Sequence, residues 1–127
     1  MSVEVNEGTS VSTTDSILNS IKKKLGLDAD YTAFDEQIII SINAAFYILY
    51  QLGIGDDPSM PFRITDSTAV WSDFITDGKM EICKDDIYFR VRLAFDPPTN
   101  SFLVENIKKQ IEEYEWRMSV GVEEPYS

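Results

Sequence analysis

Residues 80–118 read MEICKDDIYFRVRLAFDPPTNSFLVENIKKQIEEYEWRM, two helix-length amphipathic segments separated by Pro97-Pro98. In the first, apolar residues fall at Met80, Cys83, Ile87, Val91 and Ala94, with Ile82, Tyr88 and Phe95 widening the stripe. In the second they fall at Leu103, Ile107, Ile111, Tyr114 and Met118. Steps of three and four place each set on one helical face, and no alternating strand pattern accounts for them. Proline lacks an N–H and pushes the preceding residue out of the helical region, so the first helix must stop near Asp96. Asp96, Pro97, Pro98 and Thr99 therefore form the inter-helix turn, and Thr99, Asn100 and Ser101 supply capping oxygens for the second helix. The chain has to reverse, and the two stripes are expected to bury one another.

Upstream, residues 33–52 form the longest apolar-rich helix of the sequence. Phe34, Ile38, Ile42, Ala45, Leu49 and Leu52 make one face, and Ile39, Phe46 and Tyr50 make a second strip. A helix apolar on two sides belongs in the middle of a bundle or at a contact between subunits. Thr32 and Asp35 have the spacing of a capping box, Ser41 and Asn43 are minor polar interruptions, and Gly53 ends the helix. Before it, Asp15 to Leu25 reads as a short helix with Ile17, Leu18, Ile21 and Leu25 inward, capped by Thr14 or Asp15 and closed by Gly26. Lys22, Lys23 and Lys24 read as its solvated face.

Between the central helix and the C-terminal pair lies GIGDDPSMPF, a connector too rich in glycine and proline for regular structure. FRIT follows as a brief extended piece. Asp66, Ser67 and Thr68 are positioned to cap a short helix carrying Val70, Trp71, Phe74 and Ile75, closed at Asp77-Gly78. The expected architecture is all-α: a small bundle built on a long central helix and a C-terminal helical pair, with a short connecting helix and a possible minor strand. Residues 15–118 are one domain, residues 1–14 a flexible arm, and residues 119–127 a flexible tail. The alternating valines of the arm leave open a strand that pairs only in an assembly. The expected core is Phe34, Ile38, Ile42, Leu49, Trp71, Phe74, Ile87, Val91, Leu103, Ile107, Ile111 and Tyr114.

Composition narrows the chemistry. The 127 residues contain 22 acidic and 11 basic side chains, a formal net charge of -11, with no histidine and one cysteine. Without histidine there is no Ser-His-Asp or Cys-His pair and no imidazole ligand for zinc. One cysteine cannot close an intrachain disulfide, and Cys83 sits on an apolar face as a small buried hydrophobe. The stretch Asp28-Ala29-Asp30-Tyr31-Thr32 mimics the start of a calcium loop, but Ala33 replaces its glycine and Ile39 its bidentate glutamate. Adjacent acids such as Asp85-Asp86 and Glu112-Glu113 point about 100° apart on a helix and do not share a substrate. No phosphate loop or dinucleotide fingerprint is present. No catalytic, cofactor or metal residue is assigned. The acid excess opposes a broad phosphate-backbone contact. No run is long and apolar enough to span a bilayer, and residues 1–14 lack the pattern of a signal peptide.

Three patterns resemble small head–tail connector (adaptor) proteins of long-tailed bacteriophages and prophages: F-D-x-x-I-x-x-x-I-N-x-A-F-x-x-L-x-Q-L-G-I-G over Phe34 to Gly55, W-x-D-F over Trp71 to Phe74, and Y-x-x-V-R-L-x-F-D-P-P-T over Tyr88 to Thr99. The closing I-K-x-Q-I-E-E-Y-E-W-R-M, Ile107 to Met118, is also typical. The resemblance implies a helical, non-catalytic virion subunit without a cofactor, assembled in the host cytoplasm. Such subunits form a ring, usually of twelve copies, beneath the portal protein. The ring extends the DNA channel, meets the next head-completion or tail component, and lets DNA pass without sequence-specific binding or membrane contact. Candidate subunit contacts are Ile39, Phe46 and Tyr50 on the central helix and the basic edge at Arg90 and Arg92. The competing reading is a small acidic binding or inhibitory protein of phage origin. It would need one dense acidic stripe, whereas Lys108, Lys109 and Arg117 are interleaved with Glu105, Glu112, Glu113 and Glu115.

Overall fold

The computed structural model describes residues 15–123, with side chains to Val120; the expected arm 1–14 and residues 124–127 lie outside the described residues. Five helices are found there: α1 (Ile17–Lys24), α2 (Asp35–Gln51), α3 (Trp71–Phe74), α4 (Met80–Phe95) and α5 (Ser101–Glu123). The fold is all-α, as the spacing of the apolar residues requires. Helix α2 packs on α4, α4 pairs with α5, and α1 closes over α2.

Ser16, one residue later than expected, caps α1 by accepting a hydrogen bond from the Asn19 N–H at 3.2 Å. The same segment makes an isolated antiparallel bridge between Ser16 and Val70. Its Ile17 N–H donates to the Ala69 carbonyl at 3.0 Å, and the Trp71 N–H donates to the Asp15 carbonyl at 3.3 Å. The Trp71 indole N–H donates to the Ser20 hydroxyl at 2.9 Å, so the start of α1 is fastened to the connector at both backbone and side-chain level. Gly26 and Gly53 stand just past α1 and α2 with φ of 86° and 81°, the left-handed geometry that a side chain resists.

Two capping expectations change. Phe34, not Thr32, is the N-cap of α2, and its side chain makes no capping bond. Asp35 is instead held by the Lys22 ammonium at 2.7 Å. Lys22 is fully buried, so the solvated reading of that residue is corrected: its Nζ also donates to the Ala29 carbonyl at 3.0 Å, closing the loop between α1 and α2. At α3, Asp73 reaches back to accept from the Val70 N–H at 3.0 Å. Asp66 caps nothing; it accepts from the Thr68 N–H and hydroxyl in a local turn, which holds its carboxyl below the usual range.

The core is Ile17, Leu18 and Ile21 from α1, Ile38, Ile42, Ala45, Phe46 and Leu49 from α2, Trp71, Phe74 and Ile75 around α3, and Cys83, Ile87 and Val91 from α4, closed by Met118. Phe46 sits at its aromatic centre, with ring centroids 4.6 Å from Phe74 and 5.0 Å from Phe62. Gly55 lets the connector pass this cluster, since a Cβ there would meet Phe74 Cε1 at 2.9 Å.

Several core assignments are revised. Ile38, Ile42, Leu49, Trp71, Phe74, Ile87, Val91 and Ile111 are buried. Phe34 is 39% exposed and Leu103 48% exposed, while Ile107 and Tyr114 are half-buried. The cause is register. Cys83 lies 3.7 Å from Met118, and the Phe89 and Tyr114 rings stack at 6.1 Å. On this antiparallel register the end of α4 falls opposite the region of Ile107, so roughly the first two turns of α5 have no α4 residue facing them. Phe34 lies at the very start of α2, where its ring meets Phe95 edge-on at 5.4 Å on the rim. Helix α5 also runs to Glu123 rather than Met118, because no proline interrupts the sequence before Pro125.

Candidate assembly surfaces

The connector is held against α2 by one side chain. Asn43, only 8% exposed, donates from Nδ2 to the Ile64 carbonyl at 3.0 Å and accepts at Oδ1 from the Ile64 N–H at 2.8 Å. It thus plays the part of a neighbouring strand for one residue of FRIT, and is no mere polar interruption. With Ile64 fixed, residues 63–65 lie along α2 and bound a groove of about 920 Å³. Its floor is apolar, with Ile39, Ile40, Ala44, Tyr47 and Ile48 along α2. Ile40 is 64% and Tyr47 50% exposed. Glu36 and Arg63 stand at its edges, and neither makes an ion pair among the described residues.

Large apolar side chains are also exposed on α5, Phe102 and Leu103 in its first turn and Trp116 about four turns further on. Phe102, Leu103 and Trp116 are 70%, 48% and 67% exposed. The helix starts on an Asn100 cap, whose Oδ1 accepts from the Phe102 N–H at 2.8 Å. Just before it, the Arg92 Nε donates to the Asp96 carbonyl at 2.6 Å and fixes the end of α4 at the turn Asp96, Pro97, Pro98 and Thr99.

The α4–α5 seam carries a buried charge. Asp86 has no exposure, and its Oδ2 accepts from Arg90 Nε at 2.8 Å. Arg90 also binds Glu115 on α5. Asp86 Oδ1 has no hydrogen-bond partner among the described residues. Burial pushes the Asp86 carboxyl above the usual range, although the Arg90 bond and charge oppose it. Burial, followed by the charge of Asp86, pushes the neighbouring Cys83 thiol up to about 12.

Of the expected subunit contacts, Ile39 and Tyr50 are half-buried. Phe46 is fully buried and unreachable by a neighbour, and Arg90 is committed to Asp86 and Glu115 within the subunit. Arg92 is partly exposed and bound to the turn. The residues α2 does present, Ile40 and Tyr47, were missed. A signal existed: Ile38, Ile39 and Ile40 are consecutive, and three consecutive helical residues cannot all face one core. Among the described residues no cluster of three or more acidic or cysteine side chains could hold a metal, and no helix is long and apolar enough to cross a membrane.

The family model described as phage connector protein matches residues 17–125. The chain belongs to the phage connector protein family. That match takes in all five helices and the exposed apolar side chains of α2 and α5. No curated protein and no solved structure matches the chain.

Proposed function

We propose that this phage connector protein is a non-enzymatic subunit of the head–tail junction, assembling as a ring beneath the portal and joining head to tail around the DNA path. Family membership supports the structural role. The observation that carries the ring is the pair of separate exposed apolar sites, Ile40 and Tyr47 on α2 and Phe102 with Leu103 at the start of α5. Two different sites on one subunit suit a head-to-tail contact, the kind that closes into a ring. Apolar surface exposed in this way marks an interaction site. The net charge of -11 makes free copies repel, so salt should assist assembly by shortening the reach of that repulsion to about 8 Å at physiological strength.

The test is electron microscopy of purified protein added to portal-bearing, DNA-filled heads. Wild type should add a ring and allow tails to join, and heads without it should leak DNA or stay tailless. Ile40→Glu with Tyr47→Glu should abolish the ring while leaving the monomer's melting temperature within a few degrees. Complete, infectious heads formed without the protein would overturn the proposal and favour the acidic binding protein.

A further inference from the structure

Residues 61–65 carry an unused backbone edge. Phe62 and Ile64 turn inward while Arg63 and Thr65 are exposed, the alternation of extended chain, which ends in a bend at Thr65. In extended chain, successive residues direct their N–H and C=O groups to opposite sides. Ile64 spends both of its groups on Asn43. The Arg63 groups and the Thr65 N–H are therefore directed away from Asn43, and among the described residues neither residue makes a hydrogen bond. Such an edge is a template for another strand.

We infer that this edge receives the N-terminal segment 1–14 of a neighbouring copy as an added strand. Three features of the chain select that occupant. Val3 and Val5 in SVEVNE alternate with polar residues, the period of a strand with one apolar face. Glu4 and Glu7 are the only charged side chains of the segment, and Arg63 has no ion pair among the described residues. Fourteen extended residues span about 45–50 Å, enough to cross from one subunit to the next. The donor is a neighbour because of the Ser16–Val70 bridge. That bridge is antiparallel, so Asp15, the last described residue before the segment, lies beside Trp71, on the far side of Val70 from residues 63–65. The inference rests on the ring proposed above.

The experiment is amide hydrogen exchange on the full chain, dilute and assembled, with electron microscopy of the same samples. The Arg63 and Thr65 amides should exchange about tenfold or more slowly in the assembled state than in the dilute one. Val3→Pro with Val5→Pro, which removes two donors from the segment, should abolish that protection while rings still form. Arg63→Glu should weaken it, and Glu4→Lys with Glu7→Lys in that background should restore it. Rings with no segment-dependent protection overturn the strand and leave the ring standing. Concentration-dependent protection without rings supports the strand and overturns the ring. Equal protection at every concentration means the segment folds back on its own chain, and overturns the neighbour as donor.

Discussion

The side chain of Asn43 satisfies both backbone hydrogen-bonding groups of Ile64, twenty-one residues away, across the interior of the protein. An amide is the one side chain of this size that donates and accepts side by side. Asn43→Ala leaves a buried N–H and a buried carbonyl unpaired, and should cost about 2–4 kcal/mol. Ser41→Ala, on the same helix and half-buried, should change stability by no more than about 0.5 kcal/mol. Urea unfolding of both variants checks the contrast, and equal midpoints would refute it.

Lys22 and Lys23 are neighbours in sequence with opposite fates. Lys22→Ala removes the ion pair to Asp35 and the bond to the Ala29 carbonyl, an expected loss of about 1–3 kcal/mol. Lys23→Ala, at an exposed position, should be near neutral. Thermal melts would distinguish them.

Burial raises the Asp86 carboxyl, so the folded protein holds this proton to a higher pH than the unfolded chain does. Between the unfolded value near 3.9 and the raised folded value, the native state binds more protons. The contribution of Asp86 to stability must then fall as pH rises through that window. It follows that the stability of wild type relative to Asp86→Asn should decline from acid toward neutral pH. The groups facing Asp86 are Arg90 on its own helix and Glu115 on α5, and Glu115→Gln should leave the sign unchanged. Denaturant titrations at several pH values check the slope; a rising difference would contradict the assignment.

Along α5, Met118 is fully buried and Ile107 only half so. Met118→Ala should cost about 2–5 kcal/mol, and Ile107→Ala distinctly less. Comparable losses would mean that the first turns of α5 are covered within the monomer.

The sequence-legible part of this fold is the part set by local rules. Pro97 and Pro98 force the reversal wherever the helices lie, and steps of three and four mark Ile38, Ile42, Ile87 and Val91 as inward. What escaped reading depends on where one element ends relative to another. Leu103 has the right phase for the core, but α4 stops short of it. Phe46 shares one apolar strip of α2 with Ile39 and Tyr50, and only the placement of Phe62, Trp71 and Phe74 against it decides that Phe46 alone of the three is fully covered. Lys22 and Asn43 are buried because distant backbone groups at Ala29 and Ile64 await them, and no periodicity announces a carbonyl in another segment.

Helix α5 is long, yet between Ser101 and Val120 only Ile111 and Met118 are buried. Most of its side chains are therefore not chosen by the subunit's own interior. Relatives could rewrite Phe102, Leu103 or Trp116 to suit a different neighbour without disturbing the α2–α4 packing beneath. Divergence along α5 would then trace changes in what surrounds the subunit, while divergence at Ile38, Phe46 or Ile87 would be checked by the fold itself.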